Sequence, residues 1–170
     1  SYGNIIGAND RVRVGIVGFS ERAKYSLIPG FFHHNKELNF DIVAVSDLWK
    51  LRREEGTAFL KDKMQHDITA CKNNDELYAL KDIDAVIIST ADFQHALHAV
   101  EALKANKDIY VEKPFAETME DNRAALKAAK ASDRIIQVGS QRRSGANYHA
   151  AEKFIKSGPV SYTHLRAHET

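Results

Sequence analysis

The sharpest chemical signal in the chain is the tripeptide Glu112-Lys113-Pro114, which follows a short apolar run. A residue before proline is held out of the helical region, so the Lys113 side chain is expected to project from the end of a strand. The Lys113–Pro114 bond is also a candidate for the cis form. An ammonium group there could hydrogen-bond a substrate hydroxyl and tune its ionisation while hydride leaves the same carbon. For the tripeptide alone, a solvated lysine at a strand end is the default interpretation.

A glycine turn near the start of the chain indicates what would accept that hydride. Residues Val12–Ala23 have the pattern of an apolar strand, a tight turn and a helix. In a dinucleotide-binding unit, the free N–H groups and positive dipole end of such a helix face a pyrophosphate. Gly18 begins the G-x-G-x-x-G frame, but Ser20 and Ala23 replace its other glycines. The motif alone is also compatible with a plain buried strand–helix unit.

An acidic residue, Asp47, ends the second apolar segment. A carboxylate there accepts hydrogen bonds from both hydroxyls of an adenine ribose and repels a 2′-phosphate. Its distance from Gly18 exceeds the usual ~20 residues because the connection Pro29–Asn39 is long. No arginine directly follows Asp47, although Arg52 and Arg53 lie one turn further on, so NAD is favoured over NADP. Capping of the next helix is the alternative role for Asp47.

Hydroxyl groups, an acid and a histidine follow the clearest apolar strand, in the segment Ser89–His95. Such groups at a helix N-terminus suit the nicotinamide-ribose region of a dinucleotide site. Asp92 is expected to cap that helix, and capping alone explains its presence. His95 falls in the first helical turn, where the helix dipole favours the neutral imidazole. A lone histidine is more often structural than functional, but this one lies at the predicted active edge.

The elements that must position these residues alternate regularly along the chain. Six strands separated by helices predict an α/β fold, a doubly wound parallel sheet with right-handed crossovers and the Rossmann order 3-2-1-4-5-6. The predicted strands are Arg11–Val17, Phe40–Asp47, Ile68–Cys71, Asp84–Thr90, Asp108–Glu112 and Arg134–Gly139. The predicted helices are Glu21–Phe32, Trp49–Met64, Asn74–Leu80, Asp92–Ala105, Thr118–Ala131 and Ala146–Lys156. Pro29 and Gly30 are expected to bend or end the first of them. Asn73 or Asn74 is expected to cap the third helix, and Thr118 and Asp121 resemble a capping box. We then expect five strand ends to lie at the same edge of the sheet. These strands end at Gly18, Asp47, Thr90, Lys113 and Gln141.

Bulk properties exclude several other classes of protein. The 170 residues suggest one domain, 44% are hydrophobic and 28% are charged. The net charge of +1 and the lack of a basic run give no case for nucleic acid. A single cysteine, Cys71, excludes an internal disulfide and a cysteine-based metal site, and no metal is predicted. No apolar run approaches the ~20 residues of a membrane span.

The two ends of the chain differ from its centre. Residues 1–10 are polar and are expected to be a disordered lead-in before a dinucleotide-binding domain at 11–158. Residues 159–170 have neither helical nor strand periodicity and resemble a translated sequencing-library adapter, so we interpret them as a non-native tail. A genuine disordered tail is the alternative. On the first interpretation, His164 and His168 are not a metal pair.

Five motifs together resemble the Gfo/Idh/MocA oxidoreductases, the relatives of glucose–fructose oxidoreductase and inositol dehydrogenase. The similarity covers about Asn9 to Gly158, and its most specific element is Glu-Lys-Pro. The motifs are Val14-Gly15-Ile16-Val17-Gly18, Val45-Ser46-Asp47, Asp84-Ala85-Val86-Ile87-Ile88-Ser89-Thr90, Tyr110-Val111-Glu112-Lys113-Pro114-Phe115 and Gln137-Val138-Gly139-Ser140-Gln141-Arg142-Arg143.

The resemblance implies a bound nicotinamide dinucleotide and redox chemistry at a hydroxyl of a sugar or cyclitol. By position it implies catalytic roles for Lys113 and His95. It also implies cofactor contacts from Gly18, Phe19, Ser20 and Arg22 at the pyrophosphate turn, Asp47 at the adenine ribose, Thr90 and His95 beside the nicotinamide, Glu112 and Lys113 between nicotinamide and substrate, and Gln141 and Arg142 nearby.

Members of this family also have a C-terminal α/β domain that supplies an Asp and a His, and this domain is expected to be absent here. The fragment alone is therefore expected to be inactive, and the full-length protein to be a homo-oligomer. The lead-in Gly7–Arg11 is similar to members that follow a twin-arginine export signal. The location is thus cytoplasmic, or periplasmic if such a signal precedes the chain.

Two other functions are open at this stage. Some relatives hold NAD tightly and cleave glycosides by transient oxidation, elimination and re-reduction, and release of free sugar without net NADH would identify that activity. The chain could instead be a non-catalytic dinucleotide-binding module, which would bind NAD without turnover. Glu112-Lys113-Pro114 favours the dehydrogenase.

Overall fold

Six parallel strands form one sheet in the order β3-β2-β1-β4-β5-β6, in a computed structural model that describes residues 11–158. The order confirms the sequence-based prediction. The strands are β1 (Val12–Val17), β2 (Phe40–Ser46), β3 (Thr69–Cys71), β4 (Ala85–Ile88), β5 (Asp108–Val111) and β6 (Ile136–Val138). The helices are α1 (Ile28–His34), α2 (Lys50–Met64), α3 (Asn74–Tyr78), α4 (His95–Lys104), α5 (Met119–Lys130) and α6 (Ala146–Lys156).

The central strands are apolar on both faces because helices cover both sides of the sheet. Successive residues of a strand point to opposite faces, and Ile16 and Val17 accordingly belong to different core clusters. One cluster includes Leu77 of α3, and the other includes Leu60 of α2. The centre of the sheet is therefore buried, whereas β3 and β6 at its two edges are largely exposed.

The first helix differs from its prediction. The sequence predicts a bend or an end at Pro29 and Gly30, but α1 continues through both residues to His34. Residues 21–27, which include the π-helical segment Ala23–Leu27, are helical and lead directly into α1, so that the first helix runs over residues 21–34. Proline lacks an N–H group and its ring crowds the carbonyl of the fourth preceding residue, and a wider π turn is one way in which a helix accommodates this.

Two predicted helix caps are confirmed and one is wrong. The side chain of Asn73 accepts a hydrogen bond from the Glu76 N–H at 2.9 Å, and Thr118 Oγ1 accepts one from the Asp121 N–H at 3.1 Å. Asp92 does not cap α4, because it lies inside a 3₁₀ turn, Asp92–Gln94, that precedes the helix. Neither this turn nor α4 begins with a side-chain cap.

The chain forms two compact units that divide after Gly139. In the second unit, Arg142 has a left-handed φ of 66°, and its carbonyl accepts a hydrogen bond from the Gly145 N–H at 2.7 Å. The helix α6 follows with the predicted bounds. The predicted lead-in and tail, with His164 and His168, lie outside the described residues. Among residues 11–158, none of the helices has the length and apolar composition that a membrane span requires.

Candidate functional site

A cavity of about 730 Å³ opens at the carboxyl ends of β1, β2 and β4. Pockets for small molecules and cofactors fall in this size range. In an open α/β sheet, ligands bind at this edge, where the strand order reverses between β1 and β4. Predicted site residues in its lining are Gly18, Phe19, Ser20, Arg22, Asp47 and Thr90.

Gly18 forms the tight turn that the sequence predicts. Its φ is +83°, and a Cβ atom at this position would lie 2.7 Å from Thr90 Cγ2. The Gly18 N–H donates to the Ser46 carbonyl at 2.9 Å, and the Ser89 hydroxyl donates to the Gly18 carbonyl at 2.8 Å. The turn is thus held from β2 and β4 together, and only glycine fits it.

Ser20 and Phe19 have different roles within the turn. Ser20 Oγ accepts a hydrogen bond from the Ala23 N–H at 3.2 Å, so the serine partners a free N–H at the start of the first helix and keeps its hydroxyl proton available. Phe19 is 1% exposed, and its ring packs against Phe59, with ring centroids 5.7 Å apart. Its N–H already donates to Asp47, so a cofactor contact from Phe19 stays a prediction.

The Asp47 carboxylate is fixed by two backbone groups. Oδ2 accepts from the Phe19 N–H at 3.0 Å, and Oδ1 accepts from the Trp49 N–H at 2.8 Å. The residue at the N-cap of α2 is Trp49, so Asp47 is not that cap. Each carboxylate oxygen has a second lone pair, which leaves capacity for two ribose hydroxyls.

Two buried polar atoms in this lining have no partner among the described residues. They are Arg22 Nε and Thr90 Oγ1. Buried donors and hydroxyls are normally hydrogen-bonded, so each such atom calls for an explanation. Together with the Gly18 cradle and the Asp47 carboxylate, they fit the phosphate and hydroxyl groups of a dinucleotide.

Glu112 links this turn to the Glu-Lys-Pro element. It is 3% exposed, and its Oε1 lies 3.0 Å from Arg22 Nη2. Burial and the Glu112 carboxylate raise the pKa of the neighbouring Tyr110, while Arg22 opposes that shift. The arginine thus compensates a buried negative charge that would otherwise be costly.

The Lys113–Pro114 peptide bond is cis, as the sequence suggests. The Lys113 side chain is exposed, which leaves its ammonium group free to meet a ligand.

His95 is 1% exposed and lies between two loops. Its Nδ1 is 2.7 Å from the Pro114 carbonyl oxygen, and its Nε2 is 3.2 Å from the Thr90 carbonyl oxygen. Both nitrogens therefore face backbone acceptors, which connects the loop after β4 to the loop after β5. This placement supports a positioning role, and the catalytic role of His95 stays a prediction.

Sequence reasoning missed a polar cluster in the same lining. Ser46 Oγ donates to Asn74 Oδ1 at 2.7 Å, Asn74 Nδ2 lies 3.0 Å from His98 Nδ1, and that nitrogen is 2.9 Å from Glu101 Oε2. The available signal was that Ser46 ends β2 and Asn74 begins the helix after β3.

Gln141 and Arg142 lie in the second unit, and their roles stay predictions.

The fold and this edge are those of a dinucleotide-binding Rossmann domain. Residues 12–140 match a protein family described as "Oxidoreductase family, NAD-binding Rossmann fold". The chain belongs to this family, the Gfo/Idh/MocA oxidoreductases, which confirms the resemblance and the NAD-binding assignment.

Similar proteins include inositol 2-dehydrogenases. The one from Salmonella paratyphi B is 32% identical over 121 residues, which are 71% of this chain and 35% of that protein. Inositol 2-dehydrogenase 3 from Saccharopolyspora erythraea is 35% identical over 88 residues, 51% of this chain and 26% of that protein. The chain thus spans between about a quarter and a third of these curated relatives.

A solved structure supports the fold. The myo-inositol dehydrogenase from Lactobacillus casei, in complex with NAD(H) and myo-inositol, superposes with a TM-score of 0.74. It is 24% identical, and the match covers 89% of this chain and 43% of that one.

Proposed function

We propose that the whole protein transfers hydride between NAD and a hydroxyl of a cyclic polyol or sugar, and that this chain supplies the cofactor site and one catalytic lysine. The observation that carries the proposal is the Arg22–Glu112 ion pair of 3.0 Å. It joins the glycine turn to the element that carries Lys113.

At the cofactor end, each group has a role that its contacts allow. Gly18 lets the backbone approach a phosphate, and Ser20 and Arg22 offer donors to it. Asp47 is oriented by two N–H groups and accepts from both ribose hydroxyls. Thr90 offers a hydroxyl that lacks a partner within the described residues. Gln141 and Arg142 are proposed to lie near the nicotinamide.

At the reacting end, Lys113 is the group of this chain that meets the substrate. When bound, the nicotinamide supplies the hydride acceptor. Lys113 donates a hydrogen bond to the substrate hydroxyl and favours its ionisation. His95 holds the Pro114 carbonyl beside it, and Glu112 keeps Arg22 in place. Removal of the hydroxyl proton is assigned to a residue elsewhere in the whole protein.

The substrate class follows from the relatives' names. The Salmonella and Saccharopolyspora relatives are inositol 2-dehydrogenases, so a cyclitol or a similarly hydroxylated sugar is the substrate we propose. The full-length protein is further proposed to be a homo-oligomer, and either cytoplasmic or exported.

The test is reduction of NAD⁺ by the full-length protein across a panel of cyclitols and sugars, followed by absorbance of the reduced cofactor. We expect turnover with at least one member. The Lys113→Ala variant should lose about 100-fold or more in kcat. Lys107→Met is the control, because Lys107 Nζ donates to the Ile83 carbonyl at 2.6 Å. This variant should change the stability of the protein instead.

Unchanged turnover in Lys113→Ala would refute the role of the lysine. Release of free sugar without net NADH would identify a glycosidase. NAD binding without turnover on any polyol would identify a non-catalytic module.

A further inference from the structure

Arg52, in the first turn of α2, lines the same cavity as Asp47. Its Nη1 lies 2.7 Å from Glu21 Oε1 and 3.0 Å from Glu55 Oε2. Two carboxylates from different helical segments thus hold one guanidinium group. The Arg52 Cζ atom also lies 5.9 Å from the centre of the Trp49 ring, so the aromatic face helps to fix it.

One of the two carboxylates, that of Glu55, is itself anchored. Lys24 Nζ lies 2.5 Å from Glu55 Oε1, and the hydrogen bond from Lys24, followed by that from Arg52, lowers the pKa of Glu55. Glu55 therefore stays ionised at neutral pH. Of this network, Glu21 and Arg52 line the same cavity as Asp47.

Arg53 is engaged in a different way. Its Nη1 donates to the backbone carbonyl of Asp47 at 2.7 Å. Both arginines that follow the acidic residue are therefore occupied, one by carboxylates and one by the backbone. An arginine free at this position is what accommodates a 2′-phosphate in an NADP site.

We infer that Arg52 is a latent ligand for a 2′-phosphate, and that Glu21 and Glu55 select NAD by holding it, in addition to the repulsion from Asp47. The inference rests on the proposed placement of the adenine ribose at Asp47. Specificity then has two barriers. One is a carboxylate that rejects the phosphate, and the other is an ion-pair network that withholds the cation the phosphate needs.

The two barriers predict strong non-additivity. Asp47→Ser removes the repulsion but leaves Arg52 held, so the gain in affinity for a 2′-phosphate is small. Glu21→Gln with Glu55→Gln releases Arg52 but leaves Asp47 in place, and the gain is again small. Combining all three substitutions provides both a neutral pocket and a free guanidinium group, which binds phosphate through charge-assisted hydrogen bonds.

The experiment is titration of the chain and these variants with 2′,5′-ADP, and with NAD⁺ as the reference ligand, by isothermal calorimetry. In each partial variant, the affinity for 2′,5′-ADP should rise by less than about threefold. The triple variant should gain at least about tenfold beyond the product of the partial gains. Adding Arg52→Ala should abolish that gain, whereas Lys50→Ala should keep it. Lys50 is the matched control because it is a cation of the same helix that pairs with Glu54 at 3.6 Å.

Three results would overturn the inference while NAD⁺ still binds the parent chain: a full gain from Asp47→Ser alone, a gain that survives Arg52→Ala, or no gain in the triple variant. Thermal unfolding checks that each variant is folded, and the Glu21→Gln, Glu55→Gln variant should keep its NAD⁺ affinity within about twofold. A parent chain that binds no NAD⁺ would instead refute the proposed function.

Discussion

Arg22 Nη2 lies 3.0 Å from Oε1 of Glu112, and this contact joins two segments that are 90 residues apart in the chain. One segment is the start of the first helix, at the glycine turn. The other is the end of β5, next to Lys113. The distance between the turn and the lysine is therefore set by a charge pair as well as by the sheet.

Breaking this pair should cost stability because it leaves a buried carboxylate without its cation. We expect Arg22→Ala to lower the free energy of unfolding by about 2 kcal/mol, since Arg22 is partly exposed and the full penalty for a buried pair is larger. The double variant Arg22→Ala, Glu112→Gln should lose less than the sum of the single variants. Urea unfolding of the four proteins measures the coupling, and strict additivity would contradict it.

Gly18→Ala tests the turn. The added Cβ would lie 2.7 Å from Thr90 Cγ2 at a φ of +83°, so we expect a loss of about 2 kcal/mol or more in unfolding free energy. Gly30→Ala is the matched control, because Gly30 is helical and a Cβ added there would have no atom within 4 Å. That variant should be neutral or more stable, by about 0.5–1 kcal/mol. Equal effects at the two glycines would contradict the account of the turn.

His95→Ala tests whether this histidine positions the two loops. Removing a buried ring that faces two carbonyl groups should cost about 2–3 kcal/mol, from lost packing and unsatisfied acceptors. His34→Ala, at an imidazole whose side chain is 54% exposed, should change stability by less than about 0.5 kcal/mol. A fully stable His95→Ala protein whose full-length form loses turnover would favour the catalytic role instead.

The pH dependence of stability should carry a contribution from His66. Its Nε2 lies 3.0 Å from Asp41 Oδ1, and the hydrogen bond that the ring donates to the Asp41 carboxylate is the largest cause that raises the pKa of His66 above its ordinary value of 6.5. A histidine whose pKa is raised in the folded state contributes its full stabilisation at pH values below its pKa in the unfolded state. This stabilisation is lost as the pH rises from about 6.5 through the folded value.

His66→Gln should remove that slope. The measurement is the midpoint of urea unfolding at several pH values between about 5.5 and 8.5, where carboxylates with lowered pKa do not titrate. The parent chain should lose stability relative to the variant as the pH rises. Parallel profiles would contradict the assignment.

The sheet and its edge were predictable from local patterns. Apolar β-branched runs between amphipathic segments indicated the strand order, and Gly18, Asp47 and Lys113 could be placed at the same edge because parallel strands share a direction. The caps at Asn73 and Thr118 were predictable for the same local reason.

The remaining features depend on tertiary contacts that no local pattern contains. The pairing of Arg22 with Glu112 joins distant segments, and the network that holds Arg52 needs two helices to meet. Asp92 has the sequence context of a cap, but the chain makes a 3₁₀ turn there first. The polar cluster of Ser46, Asn74 and His98 combines single residues from three elements.

The most direct test of the account is a crystal structure of this chain with NAD⁺. We predict the adenine ribose hydroxyls within about 2.5–3.2 Å of the Asp47 carboxylate, the pyrophosphate at the Gly18–Arg22 turn, and the nicotinamide on the side of Lys113. A dinucleotide bound away from the carboxyl edge, or bound in the reverse direction with its nicotinamide at Asp47, would contradict the account.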